Sequence, residues 1–446
     1  MADISTSVAG VRMRSPIGVG AIGAPLIKPG RLTVGQHAEL LLKDVEAGAG
    51  FISLPSSRHI PPDMVEELKK RAKPLQTKGI PIIFRFLEMH TDGVGTEGLY
   101  LACTPATQHP EKSARRFVEH TGPLIEILKR KRPKNVPMIA NLSGMAGFPE
   151  SFVTGAVEHE KAGVELIEIN VSAALGAAQD HALEYYEEKN FPLSGGGVLI
   201  GDQPELVEEI TRHVVKAVNV PVGVKVSPET GFPRIVELAR RIKAAGGQFI
   251  TCSNNAVAIP PPDIYHGGRS KLPFMEDNPF VAGSGSWMRP IIYKQVASIS
   301  KYVPGIDVIA LGGISSPVHV VEAMMLGAKA VGTVTGMIFS GRKLLKRQER
   351  FLAPYMKAQG YRCTSDFIGL GLKFFKPAEQ IDFQPGKIAA EIDPAKCTGC
   401  GRCTDHVCLA TTMDGRIAKV KEDDCLGCGM CTIVCRVGAV SLKQKA

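Results

Sequence analysis

VELIEINVS, from Val164 to Ser172, and PVGVKVS, from Pro221 to Ser227, are short and nearly continuous apolar runs separated by a longer amphipathic stretch. Runs of that kind are strands of a parallel sheet with both faces covered, and the stretch between them is a crossover helix. The pattern repeats on either side. PIGVGAIG (from Pro16), GFISL (from Gly50), PMIANLSG (from Pro137), QFITCSN (from Gln248), DVIALGG (from Asp307) and KAVGTVTG (from Lys329) complete a set of eight. Eight βα units predict an α/β fold, a closed (β/α)8 barrel, with an open doubly wound sheet as the alternative. A ninth run, IPIIFRFL from Ile80, is surplus and is read as part of an insertion reaching about residue 112.

Three segments rich in Gly, Pro and polar residues, 87–112, 173–203 and 256–286, follow strand candidates or the surplus run. They are expected at the C-terminal face of the barrel, where barrel enzymes build their sites, and are read as lids. After a helical stretch near 341–360, FKPAEQIDFQPGKIAA (375–390) carries two prolines and breaks the rhythm. The expected division is therefore a barrel over 1–375 and a linker with a small domain over 376–446.

That small domain is defined by cysteine. Eight of the eleven cysteines fall in the last fifty residues, as C-x2-C-x2-C-x4-C (Cys397, Cys400, Cys403, Cys408) and C-x2-C-x2-C-x3-C (Cys425, Cys428, Cys431, Cys435). Three thiolates at x2 spacing wrap three corners of a [4Fe–4S] cube, and the fourth comes from the other motif. The expected ligands are Cys397, Cys400, Cys403 and Cys435 for one cluster, and Cys425, Cys428, Cys431 and Cys408 for the other, in a ferredoxin-like 2[4Fe–4S] domain. Zinc sites seldom repeat that spacing, and disulfides fit it less well.

The net charge of +9 comes largely from helical stretches such as EILKRKRPK and RKLLKRQER, whose basic residues read as solvated faces. With one Trp and no aromatic-interleaved basic patch, nucleic acid is not an expected partner. The N-terminal sequence lacks a basic start followed by an apolar run, and no eighteen apolar residues are consecutive, so neither export nor membrane spanning is expected. Cys103, Cys252 and Cys363 are far apart and suit a reducing, cytoplasmic setting.

Within the barrel, Gly18 to Gly23 match G-x-G-x-x-G, but APLIKPG follows where a dinucleotide fingerprint needs a helix. A glycine-lined strand end that admits a flat ring is the better reading. AGSGS (Ala282–Ser286), LGGISS (Leu311–Ser316) and TVTG (Thr333–Gly336) each place glycines or hydroxyls before a helical stretch, at what read as the last three βα junctions. Together they predict a phosphate cradle. Lys225, inside a strand, is read as facing the lumen, where it neutralises charge on a reduced flavin ring. Asn170 and the pair Asn254–Asn255, at strand ends, offer paired donors and acceptors to a planar ligand.

GVRMRSPIGVGA, IEINVS, GDQPELVEEI, GVKVSPE, GSGSWMRP, LGGISS and TVTG, in this order, resemble the class 1 dihydroorotate dehydrogenase family. Within it the chain is similar to the FMN and iron–sulfur subunit of NAD-dependent dihydropyrimidine dehydrogenase, over nearly its whole length. The resemblance implies FMN at the top of the barrel, with Gly20 and Ala21 beside the ring and Lys225 at its polar edge. It implies Ser284 and Gly285 near the ribityl chain, Gly312, Gly313, Val334 and Thr335 at the phosphate, and Asn170, Asn254 and Asn255 facing substrate.

Two departures stand out. The family cysteine that exchanges a proton with substrate carbon is Ala173 here, and the family lysine after the second strand gives way to SLPSSRH. The candidates for a replacement acid are Ser172, His181, Tyr185 and Tyr186. The implied activity is oxidation or reduction of an activated C=C bond in a planar small molecule. Electrons would pass through two [4Fe–4S] clusters to or from a separate flavoprotein reductase subunit or a ferredoxin, and a homo-oligomer is possible. A subunit that only transfers electrons, or a reductase of a non-pyrimidine substrate, is the alternative.

Overall fold

The computed structural model describes residues 2–21, 32–59, 65–66, 82–89, 95–102, 117–144, 149–172, 198–270, 281–381, 387–405 and 408–445. Each of the eight apolar runs supplies one strand: β1 (Ile17–Val19), β2 (Phe51–Ser53), β3 (Met138–Ser143), β4 (Leu166–Asn170), β5 (Val222–Val226), β6 (Phe249–Cys252), β7 (Asp307–Leu311) and β8 (Ala330–Thr333). All pair in parallel. The order β2-β1-β8-β7-β6-β5-β4-β3 returns on itself, since β2 also pairs with β3, so the sheet is a closed barrel and not an open one.

Crossover helices follow in turn: α1 (Val34–Glu46), α2 (Gly122–Lys131), α3 (Glu150–Ala162), α4 (Pro204–Ala217), α5 (Arg234–Ala244), α6 (Arg289–Tyr302), α7 (Pro317–Met325) and α8 (Lys343–Gln359). Helix α1 opens on a capping box, Thr33 accepting from the Gln36 N–H while Gln36 reaches back to the Thr33 N–H.

Strand parity divides the apolar residues. Ile52, Ala140, Ile167, Ile169, Val224, Ile250 and Val308 belong to the core shared with the helices. Their alternates Phe51, Ile139, Leu166, Phe249, Ile309 and Ala330 form a separate cluster with Val8 and Met13 of the hairpin Thr6–Val8/Val11–Met13, which stoppers the lower lumen. Gly18 and Gly223 make room for it, because a Cβ on either would lie 2.4 Å from the ring of Phe51 or Phe249. Each buried ring contributes about 2–3 kcal/mol. The lower lumen is thus closed with hydrocarbon, and polar chemistry is left to the upper end.

The surplus run and two of the glycine-rich segments are not simply loops. Ala256–Ala258, Val281–Gly285, Gly95–Ala102 and Ile82–Met89 form a four-stranded sheet of their own, in that order. AGSGS therefore leads into α6 from a strand of this extra sheet.

The chain divides into two compact units, Met1–Leu87 with Glu97–Phe374, and Glu88–Thr96 with Phe375–Ala446. In the second, Ile388–Ile392 pairs antiparallel with Val440–Gln444 and Thr411–Asp414 with Ile417–Val420, around a core of Ala389, Ala390, Ala410, Ala418 and Val440 with Cys403, Cys425 and Cys431. Among the described residues, no helix is long and apolar enough to cross a membrane.

Candidate active site and cysteine cradles

Above the apolar stopper the inward positions turn polar. The Glu168 carboxylate accepts from Asn141 Nδ2 and from Thr251 Oγ1. Asn141 Oδ1 accepts from Ser56 Oγ and, at 3.2 Å, from Asn170 Nδ2. Asn170 Oδ1 in turn accepts from Asn254 Nδ2 at 3.0 Å, and Asn254 Oδ1 from the Asn255 N–H at 2.9 Å. The three predicted asparagines are thus joined in one amide chain spanning the ends of β3, β4 and β6. Each NH2 group has two protons, so a chain of this kind holds its shape and still offers donors upward.

Lys225 lies beside this chain, opposite Asn170 on one neighbouring strand and Thr251 on the other. It is 4 % exposed, and burial pulls its ionisation below the ordinary lysine range while Glu168 pushes it back. Glu168 is the one charged neighbour that counts for it among the described residues. Ser172 is fully buried, and its hydroxyl donates to the Lys225 carbonyl at 2.8 Å. Its proton is committed to the backbone, which is a positioning arrangement. His181, Tyr185 and Tyr186, like Ala173, lie outside the described residues.

The three glycine segments come together on the opposite side. Gly312 and Gly313 both have positive φ, 127° and 71°, and a Cβ on Gly313 would sit 2.6 Å from the Arg289 backbone nitrogen at the start of α6. Ser284 Oγ lies 2.9 Å from Thr335 Oγ1, joining AGSGS to the segment after β8. Gly20 is needed for packing as well as for access, since a Cβ there would come within 2.9 Å of Leu311 and Val334. Ala21 is half-buried beside it. Arg289, whose backbone adjoins Gly313, places its Nη1 3.3 Å from His319 Nδ1.

Sequence reasoning missed Asn141, Glu168, Thr251 and Arg289. Stepping back two residues from Asn170, the strand period, finds Glu168, and the same period within PMIANLSG finds Asn141. Nothing local marks Thr251 or Arg289.

In the second unit the thiols sort into two groups. Cys403 has Cys397, Cys400 and Cys435 as its thiol neighbours, and Cys431 has Cys425, Cys428 and Cys408. Burial first, and these neighbours next, push the Cys403 and Cys431 thiols up. The two motifs turn alike, through left-handed glycines on either side of the middle cysteine: Gly399 and Gly401 in one, Gly427 and Gly429 in the other. The Ala439 N–H donates to Cys435 Sγ at 3.2 Å and the Ala390 N–H to Cys425 Sγ at 3.3 Å. Among the described residues, no three His, Cys, Asp or Glu side chains converge on a point fit for one metal ion. A cubane does not ask for that, because each of its irons takes a single thiolate. Cys252, buried on the outer face of β6, has its thiol pushed up by desolvation, and Cys363 is half-buried.

The family described as Dihydroorotate dehydrogenase matches residues 190–356. The catalytic subunit of dihydroorotate dehydrogenase B (NAD(+)) from Pyrococcus abyssi is 30% identical over 246 residues, which are 55% of this chain and 72% of that protein. The PreA subunit of NAD-dependent dihydropyrimidine dehydrogenase from Escherichia coli K12 is 25% identical over 296 residues, 66% of each chain. Ligand-free dihydroorotate dehydrogenase from Eimeria tenella superposes with a TM-score of 0.59 over 84% of this chain and 93% of that one, at 17% identity.

Proposed function

This chain belongs to the dihydroorotate dehydrogenase family and is an oxidoreductase, and from that premise we propose that it uses FMN to reduce or oxidise an activated C=C bond in a planar substrate. The observation that carries the reading is Lys225. An ammonium enclosed in a barrel lumen, with one carboxylate near it and that carboxylate already accepting two hydrogen bonds, suits an electron-rich ring edge above it. The residues fit FMN in other respects. Gly312, Gly313, Val334 and Thr335 would take the phosphate, Ser284 and Gly285 the ribityl chain, and Gly20 and Ala21 the flank of the ring. Asn170, Asn254 and Asn255 would orient the substrate through the amide chain.

FMN supplies a centre that exchanges two electrons with substrate and passes them on singly. The sorted thiols of the second unit support two [4Fe–4S] clusters as the single-electron path, on Cys397, Cys400, Cys403 and Cys435 and on Cys425, Cys428, Cys431 and Cys408. These assignments and the division into a 1–375 barrel and a 376–446 cluster domain are part of the proposal, as is a separate reductase subunit or a ferredoxin as electron partner. The relatives named as catalytic subunits support a partner of that kind. With Ala173 in place of an acid and the Ser172 proton held by a carbonyl, the substrate proton would come from His181, Tyr185 or Tyr186. The same two facts favour, as a second reading, a chain that only conducts electrons.

Anaerobically purified protein is expected to carry one FMN and about eight irons, the content of two cubanes. Its flavin should bleach with dithionite and recover with an unsaturated small molecule. Lys225→Met should weaken FMN binding by roughly tenfold or more, as expected for losing a charge-assisted contact. Recovery only with protein acceptors would favour the conduit, and iron-loaded protein unable to take up FMN would end the flavin reading.

A further inference from the structure

The two cysteine motifs are one turn written twice. C-T-G-C-G-R-C, from Cys397 to Cys403, and C-L-G-C-G-M-C, from Cys425 to Cys431, keep cysteines and glycines in register and differ at two positions, where Thr398 answers to Leu426 and Arg402 to Met430. Both turns pass through left-handed glycines at the same two places. They are also exposed alike: residues 398, 400 and 402 lie at the surface, as do 426, 428 and 430, while Cys403 and Cys431 are both buried. Backbone shape and solvent access match, and the side chains are left as the difference.

Those side chains act on sulfur. The Arg402 N–H and the Thr398 hydroxyl hydrogen-bond the Cys400 sulfur, and the Arg402 guanidinium is near enough to stabilise negative charge on it. Leu426 and Met430 bring neither a hydroxyl nor a charge to Cys428.

The approach to each turn adds to the contrast. Asp393 and Lys396 precede Cys397 and pair with each other at 3.2 Å, which leaves Arg402 as the net charge of that segment. Lys421, Glu422, Asp423 and Asp424 precede Cys425. Glu422 pairs with Lys443 at 2.8 Å, and Lys421 offsets only one of the two aspartates. Residues 393–403 are thus net positive and residues 421–431 net negative. The N–H donors to Cys435 and Cys425, at 3.2 and 3.3 Å, fall one on each ligand set and do not distinguish them.

Reducing a cubane adds one electron and no proton, so hydrogen bonds to its sulfurs and nearby positive charge favour the reduced form, and nearby carboxylates oppose it. We propose that Thr398 and Arg402 make the two clusters unequal, so that the first electron given to this unit resides on the cluster held by Cys397, Cys400, Cys403 and Cys435. The cluster on Cys425, Cys428, Cys431 and Cys408 is then the weaker electron acceptor. This inequality rests on the two-cluster reading above and needs neither flavin nor substrate.

The full chain, purified anaerobically, can be titrated with dithionite against redox mediators and followed by electron paramagnetic resonance. Two one-electron steps are expected, separated at least tenfold in equilibrium constant, or about 59 mV. Arg402→Met should lower the potential of the first step and bring the two together, and Thr398→Val should do so by less. Arg402→Lys should keep them apart, because charge and not shape sets the gap. Met430→Arg, made in the other turn, should raise the second step, and it stands as an independent arm if Arg402→Met fails to assemble. Coincident steps in the parent, a gap that survives both Arg402→Met and Met430→Arg, Arg402→Lys behaving as Arg402→Met, or Arg402→Met moving the second step instead of the first overturns the proposal and leaves two clusters standing. Protein whose iron falls well short of two cubanes after reconstitution, or which gives no cubane signal, ends the cluster reading itself and this inequality with it.

Discussion

The barrel unit and the cysteine unit are held together by different physics. In the first, large side chains are fully buried, Phe51, Phe152, Phe249 and Phe367 among them, and a two-sided core is enough to define the fold. In the second, the buried residues are mostly alanines and the cysteines themselves, while Leu409, Leu426 and Ile433 are 88%, 70% and 71% exposed. A core of that size supplies little burial, so small domains of this kind depend on metal to hold their loops. The comparison teaches that the barrel is a scaffold with enough apolar burial to carry costly polar groups, whereas the tail has only a small core of alanines and cysteines.

The largest expected break in that comparison is Cys403→Ser. On the proposed ligand assignment it should remove one cluster, and amide exchange should show protection lost throughout 387–405 and 408–445 while the barrel strands stay protected. A tail that keeps its protection without iron would mean that alanine packing suffices. The next effect is on the barrel alone. His159 is buried with its ionisation drawn down to about 4, by desolvation first, against an ordinary value of 6.5. Its folded form binds fewer protons than the unfolded chain between those values. Its contribution is therefore intact above about pH 6.5 and declines as pH falls toward 4, by about 3 kcal/mol in all. Chemical denaturation of His159→Gln across that window should show a flatter acid limb, and an unchanged limb would show that His159 does not set it. The smallest effect is Thr33→Ala, which removes the α1 capping box and should cost the barrel about 1 kcal/mol. Denaturant midpoints followed at barrel and cluster separately should move only for the barrel.

The strands were legible because burial on both faces writes a dense apolar run, and every run from Pro16 to Lys329 contains its strand. The extra sheet was not. Its strands, Ile82–Met89 and Gly95–Ala102 on one side and Ala256–Ala258 and Val281–Gly285 on the other, are distant in the chain, and glycine-rich strands carry little pattern of their own. At the site, Lys225, Asn170 and Asn254 were legible from a polar residue inside or at the end of an apolar run, and the structure adds that the two asparagines are hydrogen-bonded to each other. Ser172 was singled out for its position, yet its hydroxyl is tied to the Lys225 carbonyl.

By itself the sequence determined the number of barrel strands, the place of the polar residues at their C-terminal ends and the repeated turn chemistry of the two cysteine motifs, because each is a local pattern with a fixed period. Tertiary structure alone decided which thiols face one another and how four asparagines became one hydrogen-bonded chain. The first depends on bringing distant segments together and the second on strand register, where a one-residue slip, which leaves composition and periodicity almost unchanged, reverses the face on which a side chain emerges.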